Sequence, residues 1–121
     1  MTATEPDYRE AIREIVHCIV TLEKEHYGKG PERTVVRVLP GMVVALLHEP
    51  YTPGEVTLIE AGRHEAVFAH RRELNAIMDP GCADVVSKEL GLPVFATMSS
   101  CHVAPNLGVK VFITDDSLSA Q

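Results

Sequence analysis

The sequence predicts an α+β fold, a two-layer sandwich in which a four-stranded antiparallel sheet carries helices on one face. Two observations lead to this prediction. Two β-rich segments each read as a hairpin, and the segments before and between them have helical periodicity. The predicted order is α-β-β-α-α-β-β, within a single domain spanning residues 1–121 and ordered over about 5–115. A chain of 121 residues buries enough surface to fold without a disulfide or a metal.

The first helix is predicted to begin at Thr4-Glu5-Pro6-Asp7, which offers a hydroxyl cap, a proline in the first turn and acids near the positive end of the helix dipole. Apolar side chains then recur at steps of three and four residues, as in an amphipathic helix. They are Tyr8, Ile12, Ile15, Ile19 and Leu22. The remaining positions, including Glu23, are assigned to the solvated surface. Gly28 and Pro31 predict the helix end.

Residues 34–48 predict a hairpin that turns at Pro40-Gly41. In its second arm, residues 42–47, both alternating sets of side chains are apolar, so both faces of this strand need cover. The helices of one chain cover one face of a sheet. We therefore expect a second copy to cover the other face in an isologous homodimer. The alternative is that the first helix wraps around to the far face.

A capping box at Thr52-Pro53-Gly54-Glu55 predicts the start of a long helix that reaches about Met78. Gly62 lies inside this helix and predicts a close packing contact or a kink there. Asp79-Pro80-Gly81 is predicted to break the helix and to start a shorter one, which ends at Gly91 and Pro93.

Residues 94–103 and 109–114 predict the second hairpin, joined by a loop over residues 104–108. The alternation is clear in the second arm, where Val109, Val111 and Ile113 alternate with Lys110 and Phe112 along the strand. Residues 115–121 are small and polar and predict a frayed tail.

Charge and cysteine content limit the function. The net charge is −6, with 11 Lys and Arg against 17 Asp and Glu, which disfavours nucleic acid or an anionic membrane surface as the main partner. The chain has no apolar run of the roughly 18 residues that span a bilayer, so we expect no direct membrane insertion. Its three widely spaced cysteines and the absence of a signal segment indicate free thiols in the cytoplasm.

One basic stretch stands out in this acidic chain. Arg63, Arg71 and Arg72 lie close together in the sequence, and Arg37 is the lone charge inside the first predicted strand. Arginine suits the bidentate capture of carboxylate or phosphate, so these four residues are candidate ligands for a small anion or a nucleotide. Arg71 and Arg72 point in different directions on a helix, and the alternative is a solvated helix face.

The sequence predicts no catalytic residue, metal site or cofactor. His64 and Glu60 share a helix face, but tetrahedral zinc needs three or four ligands. Cys101 and His102 are neighbours on a strand and point to opposite faces, so they form no dyad with each other. A Cys/His enzyme or a metal protein therefore stays a distant alternative to a non-enzymatic domain.

The order of elements and several local motifs resemble the MpsC family over residues 8–115. The motifs are Gly28-Lys29-Gly30-Pro31, the first hairpin, Thr52-Pro53-Gly54-Glu55 and Leu90-Gly91-Leu92-Pro93-Val94. The family takes its name from a sodium-translocating, membrane-potential-generating system. The resemblance implies a bacterial cytoplasmic accessory protein associated with membrane subunits of ion or bicarbonate transport. It implies no site residues, and the chain departs from the expected pattern at Gly81-Cys82 and Cys101-His102.

Overall fold

Among the residues that the structure describes, the two hairpins lie side by side in one open sheet, and three helices complete the fold. The computed structural model describes residues 7–115. The helices are α1 (Arg9–Tyr27), α2 (Pro53–Glu60) and α3 (His64–Leu90), and the strands are β1 (Arg33–Leu39), β2 (Met42–His48), β3 (Ala96–His102) and β4 (Leu107–Ile113). The strand order is β1-β2-β4-β3, with every neighbouring pair antiparallel. The predicted fold class and element order are confirmed.

The core lies between one face of this sheet and the helices α1 and α3. Ile15 and Ile19 of α1 and Val86 of α3 pack against strand residues such as Val43 and Phe112, and all five are buried. Branched and aromatic side chains suit such a half-buried pleated surface. The core is therefore made by α1, α3 and the central strands, while α2 packs on α3 at the periphery.

The helix ends predicted at Gly28, Thr52 and Gly91 are confirmed. Thr52 and Glu55 form the reciprocal capping box, with Pro53 in the first turn of α2. Gly28 and Gly91 adopt the left-handed conformation after α1 and α3, with φ of 77° and 67°. The helix α1 begins at Arg9; Thr4, Glu5 and Pro6 of the predicted start and residues 116–121 of the predicted tail lie outside the described residues.

The break between the two middle helices was predicted in the wrong place. The helical conformation is interrupted at Gly62, whose φ is +78°. The helix α3 then continues without interruption through Pro80. A Cβ at Gly62 would meet nothing within 4 Å, so the glycine serves the backbone conformation and not a close contact. Met78 and Cys82 on either side of Pro80 are both buried. Their packing compensates for the hydrogen bond that an internal proline removes, a cost of about 3 kcal/mol.

The second hairpin is present with shifted bounds. β4 begins at Leu107, two positions before the predicted start, and β3 begins at Ala96. The loop is correspondingly shorter, and the Ala104–Pro105 peptide bond within it is cis.

Candidate functional site

The face of the sheet opposite the helices is left largely apolar and uncovered among residues 7–115. We call it the open face. It consists of Arg33, Val35, Arg37 and Leu39 of β1, Met42, Val44, Leu46 and His48 of β2, Leu107, Val109, Val111 and Ile113 of β4, and Ala96, Met98, Ser100 and His102 of β3. The side chains of its central strands are half-buried, whereas Met98 is 56% exposed and Leu39 is 45% exposed.

Polarity on the open face is arranged from the centre outwards. On the central strands β2 and β4, every open-face residue except His48 is apolar. The charged side chains Arg33 and Arg37 lie on the edge strand β1. A hollow of about 230 Å³ lies towards one end of this face, bordered by Leu46, Leu107 and Val109. An apolar centre with a polar edge is the arrangement found in protein–protein interfaces.

The covered side of the sheet holds a buried ion network centred on Arg71. Its Nε donates to Glu55 Oε2 at 2.8 Å and its Nη2 to Glu55 Oε1 at 2.6 Å, a bidentate pair. Nη2 also donates to the carbonyl oxygen of Pro50 at 2.9 Å, and Nη1 to Glu23 Oε1 at 3.3 Å. One guanidinium therefore joins all three helices, since Glu23 lies on α1, Glu55 on α2 and Arg71 on α3.

The pKa values of the two carboxyl groups around Arg71 are shifted in opposite directions. Burial alone would raise the pKa of Glu55, but hydrogen bonds from Arg71 and Thr52 outweigh it and hold that pKa below its ordinary value. Burial raises the pKa of Glu23, and its single bond to Arg71 does not reverse the shift. The guanidinium carbon of Arg71 also lies 3.9 Å from the ring centroid of Tyr27, a cation–π contact.

A second buried cation lies nearby on β4. Lys110 is 3% exposed, and its Nζ donates to Asp79 Oδ1 at 2.7 Å, Asn75 Oδ1 at 3.3 Å and Ser99 Oγ at 3.2 Å. Ser99 Oγ in turn donates to Asp79 Oδ2 at 2.8 Å. All three donor positions of the ammonium group are used, as a buried lysine requires.

The four predicted anion ligands do not converge. Arg71 is buried and bound to carboxylates of its own chain, whereas the adjacent Arg72 is exposed and borders a cleft between α3 and β3. Arg63 is exposed just before α3 begins. Arg37 is exposed on the open face, which is the side of the sheet away from the helices. A single site built from all four is therefore not formed, and anion binding through any one of them stays a prediction.

The charged residues Glu23, Glu55, Asp79 and Lys110 were missed as partners, and the assignment of Glu23 to the solvated surface was wrong. Glu23 is 1% exposed. The buried residues of α1 are Ala11, Ile15, Ile19 and Glu23, one every four positions. An acid that continues such a row is expected to be buried and to need a cation. The same spacing occurs on α3, where Arg71 lies four positions after the buried Val67.

The cysteine and histidine side chains form no assembled centre in the described part of the chain. Residues 7–115 contain no cluster of three or more His, Cys, Asp or Glu residues that could hold a metal ion. Burial raises the pKa of the Cys101 thiol, which disfavours the reactive thiolate. His102 Nδ1 lies 2.9 Å from the carbonyl oxygen of Pro105.

The chain is similar to a known protein family. The family model described as "Na+-translocating membrane potential-generating system (MpsC)" matches residues 8–116, nearly the whole chain. No curated protein and no solved structure matches the chain. Within residues 7–115, none of the helices has the length and apolar character needed to cross a membrane.

Proposed function

The chain belongs to the MpsC family, and from that premise we propose that it is a homodimeric, non-enzymatic accessory domain of a Na+-translocating, membrane-potential-generating system. In this proposal the domain lies in the cytoplasm and reaches the membrane through a membrane-bound partner subunit. It acts through protein–protein contacts and carries no catalytic residue.

The observation that carries the proposal is the open face. Monomeric proteins rarely expose contiguous apolar patches larger than a few hundred Å². Four strands of seven residues each span roughly 23 by 19 Å, so the open face projects an area of about 400 Å² per copy. Most of that area is apolar, and its accessible surface exceeds its projection because side chains stand out from the sheet. The projected area alone is about half of the roughly 800 Å² that each partner contributes to a standard interface.

A second copy is the occupant that this face fits best. A two-fold axis parallel to the strands would place β2 of each copy on β4 of the other, apolar strand on apolar strand. The same operation would keep Arg33 and Arg37 on β1 at the rim, where they remain hydrated. Isologous pairing of this kind closes after two copies and leaves no open face.

The non-enzymatic part of the proposal is supported by how the charges are used. Arg71 and Lys110 are buried, and their donors are bound to groups of the same chain. Burial raises the pKa of Cys18 and Cys101, and it raises that of Cys82 to about 12, so the three thiols stay protonated at neutral pH. These groups stabilise the fold and are not poised for proton transfer or nucleophilic attack.

Sedimentation velocity on the full chain at micromolar concentration tests the dimer. We expect the wild type to sediment as a dimer and Val111→Glu, at the centre of the open face, as a folded monomer. Ile77→Glu is the matched control, because Ile77 is 67% exposed on α3, away from the open face, and should remain dimeric. A monomeric wild type, or a Val111→Glu variant that still dimerises, would contradict the proposal.

The role in a membrane system needs a cellular measurement. We expect deletion of the gene in its host to lower the Na+-dependent part of the membrane potential, read with a potential-sensitive dye. Wild type and Ile77→Glu should restore it and Val111→Glu should not. A potential that is unchanged by deletion would argue against the assignment to this system, whereas restoration by a monomeric variant would argue only against the role of the dimer.

A further inference from the structure

A cleft of about 300 Å³ opens between α3 and β3, on the covered side of the sheet. It is lined by Phe68, Arg72 and Asn75 of α3 and by Ser99, Ser100 and Cys101 of β3. The helix residues are spaced by four and three positions, so they share one face of α3. The cleft has the size of the smaller ligand pockets found in proteins.

Arg72 gives this cleft its charge. It is the one charged residue among the six that line the cleft, so the lining carries a formal charge of +1 in a chain whose net charge is −6. Within residues 7–115, no carboxylate lies in a salt bridge with Arg72. Its guanidinium is therefore available for an external oxyanion, which arginine binds in a bidentate manner.

Asn75 supplies a second donor, and its orientation follows from Lys110. The ammonium group of lysine can only donate, so the atom of Asn75 that faces Lys110 Nζ at 3.3 Å has to be the oxygen. The NH₂ group is then left to meet a ligand. Asp79 and Ser99 accept the other two hydrogen bonds of Lys110, which fixes its ammonium group beside the Asn75 oxygen.

We propose that this cleft binds a small organic oxyanion. The oxygen atoms of the anion contact Arg72 and the NH₂ group of Asn75, and the organic part of the ligand packs against the ring of Phe68. The proposed contacts come from α3, and Ser100 is the one open-face residue that borders the cleft, so the site holds whether or not the chain dimerises.

Titrations followed by ¹⁵N–¹H spectra of the full chain test the site at constant ionic strength. The probes are phenyl phosphate and benzoate, which carry the same ring with a phosphate or a carboxylate, and benzyl alcohol as the uncharged analogue. We expect one or both anions to shift the amide signals around residues 68–75 and 99–101, and benzyl alcohol to leave them unchanged. The responding anion identifies the headgroup.

Three variants assign the contacts. Arg72→Gln should weaken binding about ten- to a hundredfold, the range for a hydrogen bond to a charged group. Arg63→Gln changes the net charge equally on an exposed arginine outside the cleft and should bind as the wild type does. Asn75→Asp keeps an oxygen next to Lys110, so it should fold, but it replaces the donor with a carboxylate and should abolish binding.

Several results would overturn the proposal. They are no shift at 10 mM of either anion, shifts located elsewhere in the structure, an equal response to benzyl alcohol, and unchanged affinity in Arg72→Gln. Equal losses in Arg72→Gln and Arg63→Gln would also overturn it, because they would indicate general attraction to positive charge.

Discussion

A substitution of Arg71 should lower the unfolding free energy far more than the same substitution of the adjacent Arg72. We consider Arg71→Met, which keeps an unbranched side chain of comparable length but removes the guanidinium. Glu55 then keeps only the hydrogen bond from the backbone N–H of Thr52, at 2.9 Å, and Glu23 loses its salt bridge. Both carboxylates remain buried, with Glu55 7% and Glu23 1% exposed.

The expected loss follows from those two orphaned charges. Removing one partner of a buried ion pair costs about 3–5 kcal/mol. Proteins of this size are stable by about 5–15 kcal/mol, so Arg71→Met should remove roughly a fifth or more of the unfolding free energy. Arg72→Met, one position away and exposed, should change it by no more than about 0.5 kcal/mol.

Urea unfolding followed by circular dichroism at pH 7 measures both variants, and an unchanged m-value would show that the change lies in stability. Adding Glu55→Gln and Glu23→Gln to Arg71→Met should recover part of the loss, because the amides remove the unpaired charge. Glu55→Gln alone keeps the capping box and gives a milder test, at about 1.5–3 kcal/mol, if Arg71→Met does not fold.

A loss of less than about 1 kcal/mol in Arg71→Met would refute this reasoning, since no buried carboxylate would then depend on the guanidinium. Equal losses in Arg71→Met and Arg72→Met would refute it as well. So would a triple variant no more stable than Arg71→Met, because the cost would then come from packing and not from charge.

Four further variants test the helix ends and the titration of Glu23. Thr52→Ala removes the capping box of α2 and should cost about 1 kcal/mol in thermal unfolding, while Thr52→Ser should cost much less. Gly62→Ala should cost about 1 kcal/mol through its positive φ alone, since the new methyl group meets no atom within 4 Å; no loss would contradict the left-handed conformation. The folded-state pKa of Glu23 is raised above 4.5, so the folded chain binds this proton more readily than the unfolded chain does. Protonation of Glu23 should therefore increase the unfolding free energy as the pH falls through the raised pKa towards 4.5. Glu23→Gln should remove that increase in urea titrations across this range.

Local sequence signals were sufficient for most of the fold. The caps at Gly28, Thr52 and Gly91 each depend on the conformation of one or two residues, so they can be read without knowledge of distant contacts. The hairpin at Pro40-Gly41 is equally local. The middle helices were misplaced because the choice between Gly62 and Pro80 depends on tertiary packing, which holds Met78 and Cys82 in one continuous helix.

The charged network could be anticipated in part only. The four-residue rows of α1 and α3 are enough to place Glu23 and Arg71 inside. These rows do not predict that Glu23 pairs with Arg71, because 48 positions separate the two residues and the sequence does not state how α1 and α3 are aligned. The same holds for Lys110, which alternation places on the covered face but whose partner Asp79 lies on another element.

The Lys110 cluster also explains how β3 keeps its position in the sheet. A slip of one residue would exchange the two faces of the strand, moving Ser99 and Cys101 from the cleft to the open face. β3 reads Ala-Thr-Met-Ser-Ser-Cys-His, and this weak apolar alternation specifies its register poorly. Ser99 lies opposite Lys110 in the ladder, and its hydroxyl is bound to both Lys110 and Asp79. These contacts favour one register because any other moves the Ser99 hydroxyl away from both Lys110 and Asp79, so both the cleft and the edge of the open face depend on them.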